Sequence, residues 1–340
     1  MRPDAAESAP SPRGRLRAYV TLIRHGESMA NVAHILQGQS DSPLTVHGQA
    51  QIDALGKYWQ NRQQSKFPSK AEPRLSLLVA SPIGRANNTA NAIASRAISE
   101  AYAADLRPGL VKLSDHAGKD KSTLDPDFEE TLLAQLSLTD CPAEDVPYFL
   151  DRGLAERDFG TLESTKGGVA PSGYQRGSGK GEDRAVFQRR VRAVGQRWID
   201  FAWRAAKARQ QGRSVSGSTG EDTCNEHEPF HLVIVTHGLW LSTFLSLFLE
   251  PNAKPPFAAN TGQFFLELGG GQPPAFFSKR KRDADEEASD LPALRLIRAN
   301  DVVHLAGVRR QKGGISRLPE DGSQPKLSAF FSATKKSKNA

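Results

Sequence analysis

The chain has 340 residues, 38% hydrophobic and 24% charged, with 45 basic against 38 acidic side chains and a net charge of +7. That is enough apolar content to bury a core, in one large domain or two ordinary ones, and enough positive charge to permit a polyanionic partner without naming one. Cys141 and Cys224 lie in polar surroundings without metal-ligand spacing, which argues against a disulfide framework; no secretory h-region or apolar run of membrane-spanning length is visible, so a soluble intracellular protein is expected.

Residues 1–16, rich in Pro, Ala and Ser, read as a disordered leader. Arg17 to Ile23 reads as a first strand, and Thr45 is placed to cap a helix in which Ile52, Leu55 and Trp59 recur at helical spacing. LSLLVA, residues 75–80, is a near-continuous apolar run, as a strand covered on both faces should be. SPIGR then leads into an alanine-rich helical segment. Residues 100–145 lack a clear period and read as an insert with short helices, before FLDRGLAERDFGTLE resumes a compact pattern. A glycine-rich loop over 164–182 precedes a long helical run with Phe187, Val191, Val194 and Trp198 along one stripe. Residues 212–229 read as a solvated insert. HLVIVTH is the sharpest strand in the chain, and LWLSTFLSLFL beyond Gly238 reads as a buried helix. Strands FFLEL (264–268) and LRLIRAN (294–300) flank a charged loop, 269–292, and residues 306–340 read as a disordered basic tail. Strands alternating with helices predict an α/β, three-layer sandwich with a mostly parallel central sheet over 17–305.

Two strands end in the same grammar of apolar run, histidine and glycine, at His25-Gly26 and His237-Gly238. Ligands in open α/β sheets bind at the carboxyl ends of the strands, so His25 and His237 are expected to face one crevice, within reach of Arg24 and Arg85. Taken singly, each has a plainer use: a strand-end histidine serves a loop, and Arg85 is a solvated charge starting a helix. Together they repel one another unless an anion compensates, and a phosphoryl group does so through forked guanidinium bonds and imidazole donors.

On these residues the chain resembles the histidine phosphatase superfamily, in its phosphoglycerate mutase-like branch. Arg24-His25-Gly26, extended by Glu27, Ser28 and Asn31, is similar to its signature. SPIGRANNTA, LAERDFGTLE and VTHG resemble its later motifs, and RANDVVHL its closing strand. The resemblance implies that His25 is a nucleophile forming a phosphohistidine, with Arg24, Arg85 and His237 holding the phosphoryl oxygens. It also implies Glu156 as the acid and base at the leaving group, and Asn31 as a secondary phosphate ligand. The plainer use of Glu156 is a salt bridge to Arg157 or Arg152, and that of Asn31 a loop cap. No metal or other cofactor is expected, and His47, His116, His227 and His304 are given no role.

The loop NVAHILQGQSDSPLTVHG is similar to the form found in phosphatase members rather than the aromatic-rich loop of glycolytic mutases. The segment after Glu163 is glycine-rich and short of hydrophobic anchors, a poor lid for excluding water. Phosphomonoester hydrolysis is therefore expected. The alternatives are a phosphoglycerate mutase-type phosphoryl transferase and a catalytically inactive scaffold of the same fold. GKGEDRAVF departs from the family pattern and leaves only Glu182 as a partner at the leaving-group side.

In the tail, QPKLSAFF (324–331) resembles the box that binds the sliding clamp of DNA replication (PCNA), with Leu327, Phe330 and Phe331 as the apolar plug and Gln324 beside it. The basic run Lys279, Arg280, Lys281 and Arg282 has the form of a nuclear import signal, to be read by an import receptor. Both favour the nucleus over the cytoplasm. Without aromatic-basic interleaving or a recognition helix, direct nucleic-acid binding is not expected, and no membrane partner is.

Overall fold

The computed structural model describes residues 16–65, 73–97, 109–110, 124–138, 146–172, 177–215, 228–249, 257–269 and 292–311. The import-signal run 279–282, the clamp box 324–331 and the leader up to 15 lie outside the described residues.

The strands are β1 (Arg17–Arg24), β2 (Leu77–Ala80), β3 (Gly109–Leu110), β4 (Tyr148–Leu150), β5 (Phe230–Thr236), β6 (Gln263–Gly269) and β7 (Ala293–Asp301). They form one sheet in the order β3-β4-β2-β5-β1-β6-β7. The first five pair in parallel, and β6 is antiparallel to both β1 and β7. The expected mostly parallel α/β sandwich is what forms.

Alternation along the central strands sends their side chains to two cores. Val20, Leu22, Leu232 and Ile234 pack with Phe187, Val191, Val194 and Trp198 of α5 (Arg184–Val215) and with Trp240 and Phe244 of α6 (Gly238–Phe248). Ile23, Val233 and Val235 pack on the other face with Leu55 and Trp59 of α2 (Val46–Gln63) and with Ala86, Ala90 and Ile93 of α3 (Gly84–Ala97). Helices on both faces leave only the strand ends open to a ligand. Thr45 caps α2 as expected, its side chain accepting from the N–H of Gly48 at 2.9 Å. A one-turn helix, α1 (Met29–Ala33), follows the first strand end.

The stretch expected as an insert over 100–145 is woven into the fold where it is described. β3 extends the sheet, and α4 (Pro126–Leu138) lies against α5 and buries Leu132 and Leu136 in the first core. The glycine-rich loop is anchored differently from expectation. Gly160 has φ of +55°, and a Cβ there would lie 2.3 Å from the carbonyl oxygen of Gly179, so backbone packs on backbone where no apolar anchor exists. Thr161 N–H bonds Gly179 O (3.1 Å), Gly177 N–H bonds Glu163 O (3.3 Å) and Glu182 N–H bonds Asp158 O (2.8 Å).

Candidate active site

β1, β2 and β5 are neighbours in register, with Arg24 opposite Thr236 and Ala80 opposite Val235. The residues just past them therefore emerge side by side. His25 N–H bonds Thr236 O (3.0 Å), and the His25 and His237 rings stand 5.3 Å apart. His25, Arg85, Glu156 and His237 are all buried.

The ring nitrogens of His25 are distinguished by their partners. Nδ1 lies 2.8 Å from Gly26 O; a carbonyl only accepts, so Nδ1 carries the hydrogen and Nε2 the lone pair. Nε2 faces Arg85, whose Nε–H points at it from 3.3 Å. Burial, then Arg85 and Arg24, hold the His25 pKa well below the ordinary value, so the imidazole is neutral. The guanidinium of Arg85 is fixed by loop carbonyls: Nη1 donates to Ser40 O (2.8 Å) and Nη2 to Gly38 O (2.7 Å), while Asp41 lies 3.6 Å from Nη1.

His237 is held by Ser81, the first residue past β2, with Nε2 at 2.8 Å from Oγ. Ser81 Oγ also accepts from the Ile83 N–H (3.3 Å) and keeps one proton and one lone pair, either of which can meet Nε2. Nδ1 of His237 is buried without a hydrogen-bond partner, and so is Nε of Arg24. Arg24 donates from Nη1 to Ala258 O (2.7 Å), and burial lowers its pKa. Gly238 makes room for it, since a Cβ there would come within 3.2 Å of Arg24 Nε. Leaving a buried polar nitrogen unsatisfied costs on the order of 1–3 kcal/mol, and these two belong to side chains that neighbour His25, whose ring lies 5.3 Å from that of His237. This arrangement can take an anion with several acceptor oxygens.

Glu156 sits at the N-terminus of α6. It accepts from the N–H groups of Arg157 (3.0 Å), Leu239 (2.9 Å) and Trp240 (3.2 Å) and has no ion pair with Arg157 or Arg152. Burial raises its pKa, against the lowering pull of those N–H bonds and of Arg85 and Arg24. Asn31 lies beside the cradle rather than in it. Its Oδ1 closes a capping box with Ser28 and accepts from Nδ2 of Asn260 (3.2 Å), which also donates to His25 O (3.0 Å). His25, Arg24, Arg85, His237 and Glu156 are thus brought together, and Asn31 reaches His25 through Asn260.

Several supports are not obvious in the sequence. Glu163 holds the loop that grips Arg85, accepting from the N–H groups of Gln39 (2.9 Å), Ser40 (2.7 Å) and Phe159 (2.9 Å). Glu182 pairs with Arg190 (2.7 Å), whose guanidinium grips the carbonyls of Gly153, Ala155 and Glu156 and so fixes the backbone beneath the acid. Arg310 pairs with Glu27 through both guanidinium nitrogens, one at 3.0 Å, and Thr45 donates to the same carboxylate (2.9 Å). Ser81 was within reach of sequence reasoning, being the first residue of the SPIGR motif that supplies Arg85. Among the described residues, no three His, Cys, Asp or Glu side chains are grouped to hold a metal ion, and no helix is long and apolar enough to cross a membrane.

Residues 20–114 match the family model described as the histidine phosphatase superfamily (branch 1). The chain is 37% identical over 75 residues to a probable phosphoglycerate mutase GpmB of Klebsiella pneumoniae, covering 22% of this chain and 30% of that protein. It is 40% identical over 75 residues to a protein of the same name from Photorhabdus laumondii, with the same coverage. The aligned stretch thus spans under a third of the length of these curated relatives. Among solved structures, a mycobacterial glucosyl-3-phosphoglycerate phosphatase superposes with a TM-score of 0.45 at 18% identity, over 84% of this chain and 99% of that one. A phosphoglycerate mutase from Bacillus anthracis superposes with a TM-score of 0.39 at 14% identity, over 78% and 95%. Residues 20–114 are thus similar to the histidine phosphatase superfamily (branch 1), and the chain folds as an α/β sandwich with a mixed, largely parallel sheet.

Proposed function

We propose that the protein hydrolyses phosphomonoesters through a phosphohistidine on Nε2 of His25. Nε2 attacks phosphorus as the bond to the leaving oxygen breaks; Glu156, whose pKa burial raises, gives its proton to that oxygen. Arg24, Arg85 and His237 take the charge on the phosphoryl oxygens. Water then attacks phosphorus as the P–Nε2 bond breaks, giving its proton to Glu156, and inorganic phosphate leaves. The observation that carries this reading is the pair of buried nitrogens without a hydrogen-bond partner, Arg24 Nε and His237 Nδ1, beside a neutral His25. Asn31 would contribute through its amide nitrogen, since its oxygen is committed to Ser28 and Asn260.

The second reading passes the phosphoryl group to a hydroxyl acceptor instead of water. The curated relatives are named probable phosphoglycerate mutases and favour this transferase reading over hydrolysis. The loop containing QGQSDSPLT favours hydrolysis. The weakly anchored lid no longer does, because backbone packing at Gly160 supplies the anchor. The test is phosphate release by chelated protein from a panel of phosphomonoesters, run beside interconversion of 2- and 3-phosphoglycerate. Release that is lost in His25→Ala supports hydrolysis; efficient interconversion overturns it in favour of the transferase. Wild-type turnover equal to that of His25→Ala in both assays leaves the inactive scaffold.

Nuclear residence and tethering to the sliding clamp belong to the same proposal and rest on sequence pattern alone: Lys279 to Arg282, and Gln324, Leu327, Phe330 and Phe331. A peptide covering 323–338 should bind purified clamp in calorimetry, and the Phe330→Ala, Phe331→Ala version should not. Equal binding by both, or none by either, removes the tether.

A further inference from the structure

The cradle accounts for the phosphoryl group and leaves open what the leaving oxygen carries. Several exposed apolar residues adjoin the cradle's own anchors along the chain. Leu239, whose N–H holds Glu156, is 38% exposed, and Phe257, next to the Ala258 that holds Arg24, is 78% exposed. Leu36 lies two residues before Gly38, which holds Arg85, and its backbone pairs with Ser164 and Thr165 (both 2.9 Å). That pairing leads into the turn bearing Val169, which is 69% exposed. Leu162, also exposed, precedes Glu163, the clamp on Gln39 and Ser40.

Single exposed apolar side chains are ordinary, but here five of the nine large ones among the described residues sit on segments that build one site. Nearby arginines are committed elsewhere. Arg157 donates to Glu182 O (2.9 Å), Arg190 is bound to Glu182, and Arg310 is bound to Glu27. Among the described residues, Lys166 on the Val169 turn and Lys180, next to the Gly179 that bonds Thr161, are exposed cations close to this strip.

We infer that the mouth takes a leaving group with an apolar body, an alkyl or aryl alcohol rather than a small hydroxy acid, and that Leu239 and Phe257 set this preference. The inference rests on the phosphoryl-transfer reading. Alkylphosphonates test it, because their C–P bond is not cleaved and binding is read whether or not turnover occurs. Calorimetry on the full chain should show affinity rising about two- to fourfold per methylene from methyl- to hexylphosphonate. The rise should fall below about 1.5-fold per methylene in Leu239→Ala, Phe257→Ser protein, since most of the apolar contact is then gone. Each single variant should give part of the loss, which guards against a folding defect in the double. A flat series in wild type, or an equal rise in the double variant, overturns the inference. So does 3-phosphoglycerate binding more tightly than hexylphosphonate and losing that advantage in Lys166→Ala, Lys180→Ala protein. If neither methylphosphonate nor inorganic phosphate binds, the cradle reading itself fails and takes this one with it.

Discussion

Strand β5 carries a buried histidine near each end, and the two differ in one respect. His231, near the start, uses both ring nitrogens: Nδ1 faces Pro73 O at 3.1 Å and Nε2 faces Thr21 Oγ1 at 2.8 Å. It packs among Trp59, Tyr19 and Phe265. His237, just past the end, uses one nitrogen on Ser81 and keeps the other buried without a partner. Both have pKa values held well below the ordinary one, by burial first and then by an arginine, Arg62 for His231 and Arg85 for His237. A shifted pKa therefore does not separate the functional histidine from the structural one. An unfinished hydrogen-bond inventory beside His25 and Arg24 does.

The sharpest way to break this comparison is to delete His25, the proposed nucleophile, and its neighbour. His25→Ala should lower turnover by at least about 10⁴-fold. His237→Ala should lower it by about 10²–10³-fold, as for loss of one donor to the developing charge, and should also cost stability, because a buried ring and its bond to Ser81 are lost. Substrate kinetics with thermal melts of the same preparations separate the two effects. His237→Ala with wild-type kcat would place it with His231.

Glu156→Gln should reduce kcat for alkyl phosphates by about 10²–10³-fold, and far less for aryl phosphates whose leaving groups need no proton. The pH profile has a definite sign. The raised pKa of Glu156 puts loss of the acid, and a fall in rate, above the ordinary carboxyl value as pH increases. The variant should lack that alkaline limb, and a limb that persists in it would assign the titration to another group.

At the structural end of β5, His231→Phe should cost about 1–3 kcal/mol by stranding Thr21 and the Pro73 carbonyl, while the folded enzyme keeps its kcat. Because His25, His231 and His237 all have folded pKa values below the unfolded one of about 6.5, their contribution to stability is present above that pH. It is lost as pH falls through the folded values. Inorganic phosphate should raise the imidazole pKa values of His25 and His237 and leave His231 where it is, which nitrogen-detected NMR resolves.

How much of this was legible beforehand follows from where the information sits. Strand ends, the two histidines, both arginines and Glu156 are written in short motifs, and the two-sided apolar strands fix the layers. The cradle's other half is backbone: the carbonyls of Gly26, Gly38, Ser40 and Ala258 orient the ring and both guanidinia, and a carbonyl leaves no signature in a sequence. Pairs such as Glu163 with Gln39, or Arg310 with Glu27, join residues far apart in the chain and need the fold before they can be seen. Helix α4 falls in the stretch expected to carry short helices, but its bounds could not be read because its apolar stripe, Phe128, Leu132 and Leu136, is thin and lies amid acidic and polar residues.

Arg310→Ala should give the smallest effect. Burial pushes the Glu27 carboxyl up, but the bonds from Arg310 and Thr45 outweigh this and hold it below the ordinary value. Removing Arg310, itself partly exposed, should cost about 1 kcal/mol of stability. It should cost kcat no more than about threefold, with Arg310→Lys partly restoring both. An unchanged melt would show that the pair does not fasten the signature loop.

The most direct test of the central claim is chemical trapping of the intermediate. Protein quenched in alkali during turnover of a labelled phosphomonoester should carry phosphate on His25, at Nε2, as read by peptide mapping and phosphorus NMR. His237→Ala should still form this species, more slowly, and His25→Ala should not form it. Label on His237 or on a carboxylate, or none on protein that is visibly turning over, would contradict the account.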